Sequence, residues 1–253
     1  MNEYLGGLIL GLVQGLTEFL PVSSSGHLVL LETLGVGEPD LATNLLLHLA
    51  TLAAIIVCYR DRLLYLIKHP LDGRVKFILL ASVPTGIIAA AVRYFLPQTD
   101  EWLPVCFLAT SIILLLPKIT NPKQRPFEEK LVIKGIIVGI SQGIACINGI
   151  SRSGTTVTAL KMCGCSDEDS AETSFLLAVP VILGSSIVEI ATSQGENVKI
   201  GGGVLLGMTV AFFVGLAALK TFVGLIKKGK TAWFSVYTTV MGIASFFLIR
   251  CVR

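Results

Sequence analysis

Long uncharged apolar runs alternate along the chain with short polar or basic breaks. Residues 41–59, 200–219 and 231–249 contain no acid, lysine or arginine, and residues 77–92, 102–117 and 173–188 are shorter runs of the same kind. A helix needs about 20 mainly apolar residues to cross a bilayer, with about 17 as a lower limit. These runs, extended past a flanking polar residue where they are short, predict six spans. Two further apolar stretches are too short. Residues 4–17 stop at Glu18 and Pro21 and resume over 29–34; residues 136–147 stop at the polar stretch 148–154 and resume over 155–162. A helix, a polar break and a second short helix predict a re-entrant hairpin, because irregular backbone at membrane depth persists only where protein buries it or a wet cavity receives it.

The two hairpins align without a gap at an offset of 128. Gly11 pairs with Gly139, Gln14 with Gln142, Gly15 with Gly143, Ser23 with Ser151, Ser25 with Ser153 and Gly26 with Gly154. Every identity falls on a polar residue or a glycine, whereas chance identity in such a chain favours apolar residues. Each half is therefore one hairpin plus three spans, residues 1–118 and 130–253 of a single membrane domain. An odd number of spans turns the second copy over, so the expected fold is an all-α polytopic membrane protein with an inverted-topology repeat. Its site is expected near the midplane, where the broken helices meet.

Composition agrees with the pattern: 53% of residues are hydrophobic and 15% charged. Soluble domains run near a quarter charged, so a soluble globule is excluded. The N-terminal residues lack a positive region and include Glu3, so no cleavable signal peptide is expected. Six scattered cysteines read as small packing residues, and Cys163 and Cys165 have no zinc spacing. A net charge of +3 gives no reason to expect nucleic acid as a partner. The distribution of charge is more telling. With both hairpins returning to their own side, most Lys and Arg from Arg60 to Lys230 gather on one face, and Arg93, Lys199, Arg250 and Arg253 on the other. The positive-inside rule makes the first face cytoplasmic, with both termini outside and the site opening outward.

The candidate chemistry sits in the two breaks. Gln14 and Glu18 are spaced to share one helix face, and an ionisable group at membrane depth is costly and usually functional. Pro21 stops the first helix. Ser23, Ser24, Ser25 and Gly26 can cap the next, whose N-terminus suits phosphate, and His27 follows in its first turn. In the second break Cys146 stands where Glu18 would be and Arg152 where Ser24 would be, so one copy has the acid and the other the cation. The guanidinium fork of Arg152 suits phosphate, and an Arg152–Glu18 ion pair is the alternative use of it. Ser151, Ser153 and Thr156 add hydroxyls. A carboxylate among these groups would repel a polyanion unless a divalent cation, Mg²⁺ or Ca²⁺, intervenes. His48 and His69 read as an ordinary span residue and a loop residue, and Gly201–Gly203 as helix packing.

The stretch QGLTEFLPVSSSGHL (14–28) resembles the Glu/Gln-x-x-x-Glu and Pro-Val-Ser-Ser-x-Gly-His signature of undecaprenyl pyrophosphate phosphatases of the bacitracin-resistance type, and NGISRSGTT (148–156) resembles that family's Pro-Gly-x-Ser-Arg-Ser-x-x-Thr motif. Gln14 stands where the family often has glutamate, and Asn148 where it has proline. The resemblance implies hydrolysis of a polyprenyl pyrophosphate to the monophosphate. Glu18 would be the essential acid, with Gln14 beside it at a metal position, Ser24 and His27 competing nucleophile candidates, and Arg152 on the pyrophosphate. Ser23, Ser25, Ser151, Ser153 and Thr156 would line the same pocket. The expected partners are that lipid and the bilayer; a homodimer is left open. A lipid flippase is the alternative reading, since inverted repeats with broken helices are also transporter architecture.

Overall fold

A computed structural model describes residues 2–37, 41–97, 99–192 and 201–252. Among these the chain is helical, with no strand. Helices α1 (Glu3–Phe19) and α2 (Ser24–Thr33) form the first hairpin, followed by α3 (Leu41–Cys58), α4 (Arg60–Lys68), α5 (Gly73–Phe95) and α6 (Leu103–Thr120). Helices α7 (Leu131–Ile144) and α8 (Arg152–Met162) form the second, followed by α9 (Asp167–Thr192), α10 (Gly202–Lys227) and α11 (Trp233–Val252). Helices α5, α6, α9, α10 and α11 are long and apolar enough to cross a membrane, and α3 with the bent α4 makes a sixth. The chain is thus a multi-pass membrane protein. Many of its large apolar side chains, such as Ile87, Phe213 and Val236, are exposed, as lipid-facing residues should be.

The helices outrun the apolar stretches that predict them. Asp72 accepts a hydrogen bond from the Arg74 backbone N–H at 2.8 Å and starts α5 ahead of residue 77. Ser166 accepts from the Asp169 N–H at 3.1 Å, and three acids in the first turn suit the positive end of α9. One expectation is corrected: residues 60–76, read as a basic loop, contain α4. Its Leu66 is buried, and the helix turns 77° away from α3. Charge masked a short amphipathic helix. The loop expected at 193–199 lies outside the described residues, as do residue 98 of the 97–101 loop and Arg253.

The halves interlock rather than sit side by side. α1 of the first half packs along α10 of the second, and α7 packs along α5. Both seams are backbone on backbone. A Cβ built on Gly7, Gly11 or Gly15 would lie 1.9, 2.2 or 2.8 Å from the carbonyl oxygens of Gly203, Gly207 and Ala211. At the other seam, a Cβ on Gly139 would lie 2.3 Å from the Ala81 oxygen, and one on Gly143 2.5 Å from Ile88 Cβ. The repeated glycines therefore do one job twice, and Gly203 packs as its run suggested. Where α6 crosses α11, Ser111 Oγ lies 2.8 Å from Thr239 Oγ1. These residues are 128 positions apart, the hairpin offset, as partners beside a two-fold axis would be. Fully buried Phe19, Phe175 and Phe222 stack edge to face beneath the hairpin tips, so the last residue of α1 is anchored next to Glu18.

Candidate active site

The first tip is built on the last turn of α1. Gln14 and Glu18 share its inner face, both buried, and Gln14 Nε2 donates to Glu18 Oε2 at 3.1 Å. Ser23 then caps α2, its Oγ accepting from the Gly26 N–H at 3.3 Å. It does so at φ +69°, a conformation that is strained for a residue with a Cβ. That bend places Ser24 at the first position of α2, with its hydroxyl donating to Glu18 Oε2 at 2.7 Å. Ser25 Oγ is 3.4 Å from Ser23 Oγ.

The second tip repeats the cap and changes the chemistry. Ser151 Oγ accepts from the Gly154 N–H at 3.1 Å and lies 3.3 Å from Ser153 Oγ. Thr110 of α6 braces the turn, donating to the Gly149 carbonyl and accepting from the Ser151 N–H, both at 3.1 Å. Gly149 has φ +92°, which favours glycine there. Arg152 reaches across to the first tip, its Nη2 donating to Glu18 Oε1 at 2.7 Å. Ser153 Oγ donates to the Leu20 carbonyl at 3.0 Å, so the two tips touch directly.

Gln14, Glu18, Ser24 and Arg152 thus form one network, with Ser23, Ser25, Ser151 and Ser153 around it. Two atoms in it are buried and have no hydrogen-bond partner: Gln14 Oε1, an acceptor, and Arg152 Nη1, a donor. Unpaired buried polar atoms are costly, and these flank the Glu18 carboxylate. Thr156 is not brought to Glu18. Its hydroxyl is buried against the Arg152 carbonyl at 2.9 Å and Ser174 Oγ at 2.6 Å. His27 also stands apart. Its Nδ1 bonds the Ser23 carbonyl at 2.7 Å, and since a carbonyl only accepts, that nitrogen holds the proton. In the neutral ring Nε2 then accepts from the Tyr237 hydroxyl at 2.7 Å, and the two rings stack.

Two neighbours escaped the sequence reading. His48, read as an ordinary span residue, has its Nε2 3.7 Å from Glu18 Oε2, and its Nδ1 bonds the Asn44 carbonyl at 2.8 Å. An imidazole within an otherwise uncharged span was the available signal. Tyr237 had none, being one aromatic among several in α11.

A divalent cation can be tested against these donors. Among the described residues no three His, Cys, Asp or Glu side chains gather as a metal cage. What Gln14 and Glu18 offer is a carboxylate and an unpaired amide oxygen on one helix face. That donor pair suits a hard cation completed by water and substrate phosphate oxygens, as Mg²⁺ usually is.

Fold and site together define a class: a multi-pass helical membrane protein whose paired re-entrant hairpins bring a half-buried serine and arginine to one buried acid. A model of the family described as Bacitracin resistance protein BacA matches residues 7–244. An undecaprenyl-diphosphatase of Carboxydothermus hydrogenoformans is 37% identical over 98% of each chain. Those of Korarchaeum cryptofilum and Thermotoga maritima are each 33% identical, over 98% and 94% of this chain and 100% and 98% of their own. The chain belongs to the BacA bacitracin resistance family.

Proposed function

We propose that this protein hydrolyses undecaprenyl, or another polyprenyl, diphosphate to the monophosphate and inorganic phosphate, recycling a lipid carrier for envelope synthesis. The observation that supports this best is the Ser24–Glu18–Arg152 chain, a hydroxyl on a carboxylate and the carboxylate on a guanidinium at 2.7 Å each. Ser24 Oγ attacks the terminal phosphorus as its proton passes to Glu18 Oε2. The lipid monophosphate leaves with the bridging oxygen, and water then attacks the phosphoserine and frees phosphate. Arg152 offers Nη1 to the phosphoryl oxygens while Nη2 keeps Glu18 in place. His27 fixes the start of α2 through Ser23 and takes no proton. Gln14 and Glu18 would hold a Mg²⁺ or Ca²⁺ ion, whose charge would offset the repulsion between carboxylate and substrate.

Residues 1–118 and 130–253 act as the two repeats of one unit, with the site open to the outer face and both termini there. A flippase would need no carboxylate seated on a serine hydroxyl, so that contact favours hydrolysis. The test is phosphate release from C55 diphosphate by purified protein, before and after chelation and with Mg²⁺ or Ca²⁺ restored. Release should fall on chelation and return with the ion. No release with any divalent cation would remove the enzyme reading, and full activity in chelator would remove the ion.

A further inference from the structure

The two tips match, but the helices flanking them do not. In the second half, α8 packs closely against α6. Thr110 bonds both Gly149 and Ser151, and a Cβ on Gly154 would lie 3.2 Å from Leu114. The corresponding pair is α2 and α11. These touch far less, and their polar link is the His27–Tyr237 hydrogen bond. Beyond that link they part around a cavity of about 250 Å³. Its walls include Leu31 from α2, Leu34 just past the end of that helix, and Met241, Ala244 and Leu248 from α11, with His27 at one end. Ser245 also lines it, but its hydroxyl is turned to the Gly242 carbonyl at 2.9 Å and leaves the wall apolar. Leu34 and Ala244 are exposed, so the cavity is a groove open at the surface, along α11, which is long and apolar enough to cross a membrane.

The geometry points to this groove as the seat of the first isoprene units of the substrate's chain, those next to the diphosphate. The inference rests on the diphosphatase reading and adds where the lipid lies. His27 joins the two regions: it is bonded to Ser23 and lies one helical turn from Ser24, about 5 Å along α2. From there the groove follows α2 to its end and reaches Leu34, the residue after it. An apolar wall that begins one turn from the reacting hydroxyl fits a molecule that is charged at one end and hydrocarbon from there on. A polar occupant would lose its water there without gaining partners. Two other cavities among the described residues fit such a chain poorly. One lies along the glycine seam beside Glu3, and the other is flanked by Glu101 and Arg250. Because the groove is short, only the first units of a long chain fit in it, and the rest lies in the bilayer.

The test sets a long chain against a short one. Purified Ala244→Trp should raise KM for C55 diphosphate, relative to KM for the five-carbon dimethylallyl diphosphate, by at least about tenfold, the effect of a few lost apolar contacts. Leu34→Trp, at the far end, should raise the same ratio and decides the matter if Ala244→Trp is not monodisperse. An unchanged ratio in a well-folded variant overturns the groove while leaving the diphosphatase reading intact. If the unaltered protein hydrolyses neither substrate, that reading fails first, and the groove as a substrate seat fails with it.

Discussion

Glu18 divides its two oxygens between the tips, Oε1 to Arg152 and Oε2 to Ser24 and Gln14. Removing the charge while keeping the shape is therefore informative. Glu18→Gln should lower kcat by about 10²–10⁴-fold, the range for a lost general base, in a protein that still folds. Ser24→Ala should abolish the phosphoenzyme that acid quenching of labelled substrate traps on the unaltered protein. His27→Gln should leave the label on Ser24, because both ring nitrogens of His27 are already engaged; an alkali-stable label on the unaltered protein that is lost from this variant would reverse the assignment. The acid, the arginine and the serines were legible because polar groups at membrane depth stand out against an apolar chain. Which hydroxyl faces Glu18 was not. That depends on the φ of Ser23, and three consecutive serines look alike in sequence. His48 and Tyr237 reach the site only through tertiary packing, from 30 and more than 200 residues beyond the carboxylate and His27 respectively.

At the scale of the elements, the hairpins were legible from their breaks and the spans from their uncharged runs. Their ends were not, because caps such as Asp72 and Ser166 carry a helix past the apolar stretch. The repeated glycines were visible as repeats, but their purpose appears only at the seams. Gly11 meets the Gly207 carbonyl and has no room for a side chain. Gly11→Leu should cost at least about 1–3 kcal/mol in overpacking, because rigid backbone stands in the way on both sides. The expected outcome is a lower Tm in detergent and lost turnover, although Gly11 lies about 10 Å along α1 from Glu18. Unchanged Tm and activity would mean that α1 does not seat against α10 as described.

For the molecule as a whole, ion pairs tie the halves together at the basic face. Arg62 bonds Glu172 at 2.6 Å and Arg74 pairs with Asp169, while Lys227 of α10 reaches Glu168 of α9 at 2.7 Å within the second half. This face is expected to be cytoplasmic, and the chain's own cysteines can test it. With the other cysteines replaced, Cys251, exposed near the end of α11, should react with a membrane-impermeant maleimide on intact cells. Cys163, after α8, should react only once the membrane is opened. The reverse pattern would turn the molecule over and place its site on the cytoplasmic side.

The glycine seam between α1 and α10 also imposes an order in time. Glu3 caps the Gly203 N–H across 200 positions of chain. At about 5–20 residues per second of synthesis, α1 waits roughly 10–40 s for the helix it must lie against. During that interval its glycine face has no partner, and Glu18 has no arginine until residue 152 has been made. The first hairpin is thus the earliest part of the chain to be made and among the last to settle, and synthesis must pass residue 152 before the acid and the cation can meet.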